Sequence, residues 1–164
     1  MLPKIIILRG NSGSGKTTIS KKLQKKLGHG TLLISQDVVR REMLYVKDGE
    51  DTKVVDLLIQ LIMYGKGNCS YIILEGILYS DWYRRIFEII NNEFSNEIYA
   101  YYFDIPFDET LIRHKTKCNS NEFGEVDMKR WWREKDFIGI IPEYVINKDK
   151  TENEIIDMII QQIK

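Results

Sequence analysis

The sequence predicts an α/β fold: a parallel sheet of about five strands with helices on both faces. Three observations carry that expectation. Apolar runs recur along the chain, and they are continuous rather than alternating, as strands covered on both sides are. Stripes of apolar residues at helical spacing lie between those runs. The first run opens into a glycine-rich loop that leads straight into a helix, the order of elements that an anion-binding helix N-terminus needs.

Taken in order, Ile5 to Leu8 reads as the first strand, Thr31 to Ile34 as the second, Tyr71 to Leu74 as the third and Ile98 to Phe103 as the fourth. A shorter fifth run is Tyr144 to Ile146. The helix after the glycine loop spans Thr18 to Leu27, with Ile19, Leu23 and Leu27 on one stripe and Lys21, Lys22, Lys25 and Lys26 off it. Val54, Val55, Leu57, Leu58, Leu61 and Ile62 make a broad apolar helix face, as do Trp82, Ile86, Ile89, Ile90 and Phe94. A further helix is expected from Glu125 to Asp136, and the chain closes on the stripe of Ile155, Ile156, Ile159, Ile160 and Ile163. Strands alternating with helices imply right-handed crossovers, with ligands seated outside the carboxyl ends of the strands. Residues 9–18, 35–41, 75–81, 104–108 and 147–150 are therefore expected to frame the site.

Composition sets bounds on function. The 164 residues fit a single domain, residues 1–164. Lys plus Arg number 24 and Asp plus Glu number 24, a balance that argues against coating long duplex nucleic acid but leaves room for one nucleotide or a strand end. Cys69 and Cys118 have no metal or redox spacing. Two free thiols without a signal-peptide pattern point to the cytoplasm, and the apolar start, Met1 to Leu8, is too short for a membrane segment. His29 and His114 form no evident metal set.

Gly10-Asn11-Ser12-Gly13-Ser14-Gly15-Lys16-Thr17 matches the phosphate-loop pattern G-x-x-x-x-G-K-[ST] at every fixed position. The glycines let backbone N–H groups turn inward around phosphate oxygens, and the helix terminus adds partial positive charge. Lys16 is then expected to neutralise the β- and γ-phosphates of ATP, and the Thr17 hydroxyl to hold Mg²⁺.

Other chemistry-bearing residues fall at the predicted strand ends. Asp37, after the second strand, stands where a carboxylate can take a proton from an acceptor hydroxyl, or where it can simply cap a helix. Arg40 shares its helical face and can steer substrate. Glu75 ends the third strand and can order the surroundings of Mg²⁺ or touch substrate, while Gly76 lets a substrate or backbone come close. Arg113 and Lys117 are four apart on one expected helical face. They precede a polar stretch, Asn119 to Gly124, with the composition of a loop. Cations there suit a lid over a transferred phosphoryl group. Arg130, Trp131, Trp132 and Arg133 either stack a flat substrate ring or pack their helix onto the sheet. Asn147 to Lys150 occupies the position that commonly borders adenine.

With these motifs in place, the chain resembles the small phosphoryl-transfer kinases of the phosphate-loop class, with an adenylate-kinase-like fold. Within that class it looks most like the group of chloramphenicol phosphotransferase, zeta toxins, tunicamycin-resistance-type proteins and the kinase domain of polynucleotide kinase. The resemblance spans nearly the whole length and rests on the loop Gly10–Thr18, Asp37 with Arg40, and the Arg113/Lys117 region. It implies a P-loop NTPase fold with strand order 2-3-1-4-5 and a lid between residues 113 and 136. It also implies that Asp37 is the base toward an acceptor hydroxyl, with Arg40 beside it. One departure stands out: the polynucleotide-kinase lid carries paired arginines, and Lys117 holds the second place, where a lysine cannot form the bidentate fork.

The expected activity is therefore ATP–Mg²⁺-dependent transfer of a phosphoryl group to a hydroxyl of a nucleoside, nucleotide sugar or antibiotic, with the 5′ end of a polynucleotide as the alternative acceptor. Lys16, the loop amides, Mg²⁺ and Arg113 would spread the transferred charge. A guanine-nucleotide switch fits less well. Asn147-Lys148-Asp149-Lys150 ends in lysine where N-K-x-D needs aspartate, and Asp136 to Gly139 spells D-x-x-G far past its usual strand. A motor-type ATPase lacks its Asp-Glu pair at Leu74-Glu75. A nucleotide-binding protein without transfer chemistry would not need Lys16, Thr17, Asp37 and Arg113 together.

Overall fold

The first strand, β1, runs Lys4–Gly10 and is followed by α1 over Lys16–Leu27 and β2 over Leu32–Ser35. The computed structural model describes residues 2–117 and 120–164; Met1, Cys118 and Asn119, named above for the apolar start, a thiol and the polar loop, lie outside the described residues. After β2 the chain enters a short helix α2, Gln36–Val38, that widens into a π-helical turn over Val39–Leu44. Next come α3 (Val54–Asn68), β3 (Tyr71–Gly76), α4 (Arg84–Phe94), β4 (Ile98–Phe103), α5 (Phe107–Lys115), α6 (Glu125–Trp131), β5 (Glu143–Ile146) and α7 (Glu152–Ile163).

The five strands form one sheet in the order β2-β3-β1-β4-β5, the expected 2-3-1-4-5. Every pairing is parallel, so all strands deliver their carboxyl ends to one edge. In β1, Ile5 and Ile7 face one core with Leu58, Ile62, Phe87 and Ile90 from α3 and α4. Ile6 and Leu8 face the other, with Ile19 and Leu23 from α1 and Ile156 and Ile159 from α7. Alternate residues of one strand thus feed two separate layers, which is why the run is apolar throughout.

Several expected boundaries move. The helix after the glycine loop begins at Lys16 rather than Thr18, and α4 begins at Arg84, leaving Trp82 in the preceding turn. β5 begins one residue early, at Glu143. The helix expected from Glu125 to Asp136 stops at Trp131. Trp132 is already extended, and Lys135 adopts a left-handed φ of 45°. Residues past Trp131 are pulled into contacts with the sheet edge that a continuing helix could not make.

Candidate active site

The phosphate loop is built as its pattern requires. Gly13 sits at φ +78°, and a Cβ on it would lie 2.7 Å from the Thr110 carbonyl oxygen of α5 and 3.1 Å from Met128 Cε of α6. Only glycine tolerates both that backbone and that contact. The turn ends at Gly15, and among the described residues no side chain caps the first turn of α1 and no acidic side chain lies in it. Its N–H groups are left for an anion.

Lys16 Nζ donates to Asn11 O at 2.8 Å and to Ser14 Oγ at 3.1 Å, so its ammonium lies inside the loop. Burial lowers its pKa to about 7; Glu75 and Asp37 act in the opposite sense, Lys117 and Arg9 in the same sense. Lys117 is likewise lowered by burial and partly restored by Glu75 and Asp37. Charges named from separate stretches of sequence therefore converge: Lys16, Glu75, Asp37 and Lys117 lie within electrostatic reach of one another.

Glu75 is only 2% exposed, so it is not an acid solvated at a strand end. The Thr17 hydroxyl contacts both its oxygens at 3.3 Å. That pair of oxygen donors beside a phosphate loop fits Mg²⁺, which takes few protein ligands and completes its shell with phosphate and water oxygens. Among the described residues no group of three or more His, Cys, Asp and Glu side chains could hold a metal by itself. Gly76 does not open space for substrate: a Cβ there would meet Gln36 Cβ at 2.8 Å, so the close approach is internal.

Asp37 is not the helix cap. Ser35 takes that role, its hydroxyl facing Val38 N at 3.5 Å, and Asp37 lies inside the first turn. Arg40 Nη2 and Arg41 Nε both donate to Asp37 Oδ1, at 3.0 and 2.8 Å. Among the described residues no hydrogen bond reaches its second oxygen. Arg41 was not singled out from the sequence, although its i+4 spacing from Asp37 was the available signal. It also stands 3.8 Å from Glu122 and over the Phe123 ring, so it touches the expected lid as well.

Arg113 and Lys117 do not share a helical face. The Thr116 hydroxyl and amide both donate to Arg113 O, at 2.8 and 3.3 Å, and Lys117 N donates to His114 O at 3.0 Å. These bonds close α5 at Lys115, and Lys117 lies in the turn beyond. Arg113 nonetheless reaches the phosphate loop, Nη1 donating to Ser14 O at 3.0 Å, with Glu109 holding its Nε at 3.0 Å. Trp131 packs edge-on against Phe123 and Trp132 against Phe107, both partly buried. Tyr45 is exposed, and Arg84 and Arg85 pair on the surface with Glu88 and Asp56.

Residues 5–138 match the sequence model of the AAA domain family. The chain belongs to that family. No curated protein sequence matches it. Among solved structures, this AAA domain is similar to a gluconokinase from Sinorhizobium meliloti 1021, with 12% identity, TM-score 0.68, and coverage of 99% of this chain and 92% of that one. It is also similar to the APS kinase CysC of Mycobacterium tuberculosis in complex with AMPPNP and APS, with 16% identity, TM-score 0.70, and coverage of 98% and 96%. The tunicamycin resistance protein of Deinococcus radiodurans aligns at 16% identity and TM-score 0.64, covering 98% and 95%. These likenesses place the AAA domain in the small P-loop kinase fold. No helix among the described residues is long and apolar enough to cross a membrane.

The AAA domain also holds functional-site neighbours that the sequence reading passed over. Asn11, noted only as a loop position, uses its side chain on Arg133: Nδ2 donates to Arg133 O at 2.7 Å and Arg133 N donates to Oδ1 at 3.0 Å. Arg9, one residue before the loop, is fully buried between Asp136 and Glu143. A charge ending an otherwise apolar strand was the signal for it.

Proposed function

We propose that this chain is an ATP–Mg²⁺-dependent kinase that transfers the γ-phosphoryl group to a hydroxyl of a small molecule, with a nucleoside, nucleotide sugar or antibiotic as acceptor. The observation that carries the reading is the convergence of Lys16, inside the phosphate loop, with Asp37, whose carboxylate is gripped, among the described residues, on one oxygen only.

The loop amides and Lys16 hold the β- and γ-phosphates, and Arg113, anchored to Ser14 O beside them, adds positive charge where negative charge spreads during transfer. Thr17 and Glu75 would hold Mg²⁺, which when bound neutralises phosphate charge. Asp37 orients the acceptor hydroxyl through Oδ2, the oxygen that the two arginines leave untouched. That hydroxyl oxygen bonds to the γ-phosphorus as the bond to the β-phosphate bridging oxygen breaks. The hydroxyl proton passes to Asp37, and ADP leaves. Arg40 and Arg41 fix the carboxylate so that no reorientation is needed at that moment. The names of the solved neighbours, a gluconokinase and an APS kinase among them, are in keeping with this reading.

The test is a γ-labelled ATP screen over nucleosides, nucleotide sugars, ribosome-directed antibiotics and 5′-hydroxyl oligonucleotides. Label is expected on a small-molecule hydroxyl. Label confined to oligonucleotide ends would move the acceptor to the alternative, and label on none, with ATP bound, would leave a binding protein without transfer chemistry.

A further inference from the structure

Arg9 is the penultimate residue of β1, just before the phosphate loop, and its side chain is fully buried. Its Nε and Nη2 both donate to Leu78 O, at 3.0 and 2.8 Å. Nη2 also donates to Asp136 Oδ2 at 3.0 Å, and Nη1 to Glu143 Oε1 at 2.8 Å. The guanidinium carbon lies 5.2 Å from the Phe87 ring centre and 5.7 Å from that of Tyr102. A buried arginine so fully engaged is a weak device for stability and a strong one for geometry.

The geometry it holds is unusual. Leu78 has φ +47°, a left-handed backbone that a branched side chain avoids, and its carbonyl is the one gripped twice. Around this point two remote segments are stitched together. Ser80 N and Oγ donate to Asp136 at 2.8 and 2.6 Å. Tyr79 OH donates to Trp131 O at 2.5 Å, Arg133 Nη1 to Asp81 at 2.6 Å, and the Arg133 guanidinium lies 3.8 Å from the Tyr79 ring centre. Asn11 ties the same segment to the phosphate loop through Arg133.

We propose that Arg9 is a positioning residue for phosphoryl transfer. By gripping Leu78 and Asp136 together it makes residues 78–82, after β3, and 131–138, returning from the expected lid, a single wall set against the phosphate loop. In the kinase reading, on which this proposal rests, that wall bounds the acceptor side. Asp37 follows β2, Arg9 lies on β1, and β3 lies between those two strands, so the strands that carry base and hub are about two strand spacings, roughly 10 Å, apart. Neither segment need contact ATP for its placement to govern how the acceptor meets the γ-phosphate.

The test compares three variants. Arg9→Met combined with Asp136→Asn and Glu143→Gln removes the hub without leaving a buried charge. Ser80→Ala loosens one stitch and keeps Arg9. Arg9→Lys keeps the charge but cannot fork to Leu78 and both carboxylates at once. Hydrogen exchange in the triple variant is expected to quicken by about tenfold or more in 78–82 and 131–138 together, while 5–8 and 72–75 stay protected. Affinity for a fluorescent ATP analogue should stay within about threefold, while kcat for ATP turnover, to acceptor or water, falls roughly 10²-fold. Ser80→Ala should show the same paired loosening to a smaller degree, and Arg9→Lys should not restore either readout. Loosening of one segment alone, full rescue by lysine, or a loss borne by the KM for ATP rather than kcat would overturn the proposal. Failure of the unaltered protein to bind ATP would sink the kinase reading and the transfer role with it. Intact turnover with the wall loosened would sink the Arg9 proposal only.

Discussion

Asn11 and Arg133, 122 positions apart, are joined by two hydrogen bonds, the Asn11 amide donating to the Arg133 carbonyl at 2.7 Å and accepting from its N–H at 3.0 Å. The side chain of the second residue of the phosphate loop thus pairs with backbone 122 positions away. Asn11 is 7% exposed and Arg133 is partly buried, so Asn11→Ala leaves the Arg133 N–H and C=O without their side-chain partner. A loss of about 1–3 kcal/mol is expected in urea unfolding. A change under about 0.5 kcal/mol, typical of an uncoupled surface site, would show the pair to be incidental.

Gly13→Ala should damage the loop directly. The new Cβ would stand 2.7 Å from the Thr110 carbonyl at a φ of +78°. Both the loop and α5 must shift, so ATP affinity should fall at least about tenfold, with a matching drop in thermal midpoint. Calorimetric titration with ATP and Mg²⁺ reads the first, and a melt reads the second.

Asp37→Asn is expected to keep ATP binding and to lose about 10²–10⁴-fold in turnover, since the amide still accepts from the arginines but takes no proton. Near-normal turnover would remove the base assignment. Lys16→Ala should abolish measurable transfer, because the ammonium group at the phosphates is gone.

Lys16 makes binding pH-dependent. Burial lowers its pKa to about 7, and a triphosphate beside it raises that value, so ATP binding should take up part of a proton at pH 8. Titrations in buffers of different ionisation enthalpy measure the uptake, and affinity should weaken as pH rises from about 7 to 9. Folding responds in the opposite sense. The unfolded lysine titrates near 10.5 and binds more protons than the folded one between about 7 and 10.5, so this group's contribution to stability rises with pH across that window. Lys16→Met should flatten both profiles.

What could be read from the sequence follows from how local each feature is. β1 and β3 announce themselves because both faces of each are buried, leaving unbroken runs such as Ile5 to Leu8. Gly10 to Thr17 is a contiguous motif whose spacing is its geometry. Asp37, Arg40 and Glu75 stand out as candidates because they fall at strand ends, where a parallel sheet gathers its ligands, and Arg113 because it precedes a polar, loop-like stretch. Contacts of Arg9 with Asp136 and Glu143 were hidden, since they join residues 127 and 134 positions apart with no pattern to mark them. The misplacement of Lys117 has a smaller cause: the chain tightens to i−3 bonds at Thr116 and Lys117, which ends α5 at Lys115 with no residue pattern to mark it.

The wide turn at Val39–Leu44 closes with Tyr45 N and Val46 N both donating to Arg40 O. A turn of that width is an α-helix carrying one additional residue. Excising a single residue there would swing every later side chain of the segment by about 100° around the helix axis. Met43 and Tyr45, now largely bare to solvent, would change direction while Asp37 upstream kept its own. Relatives differing by that one deletion would keep the Asp37 carboxylate in place and surround it with a different outer rim, with the phosphate loop untouched.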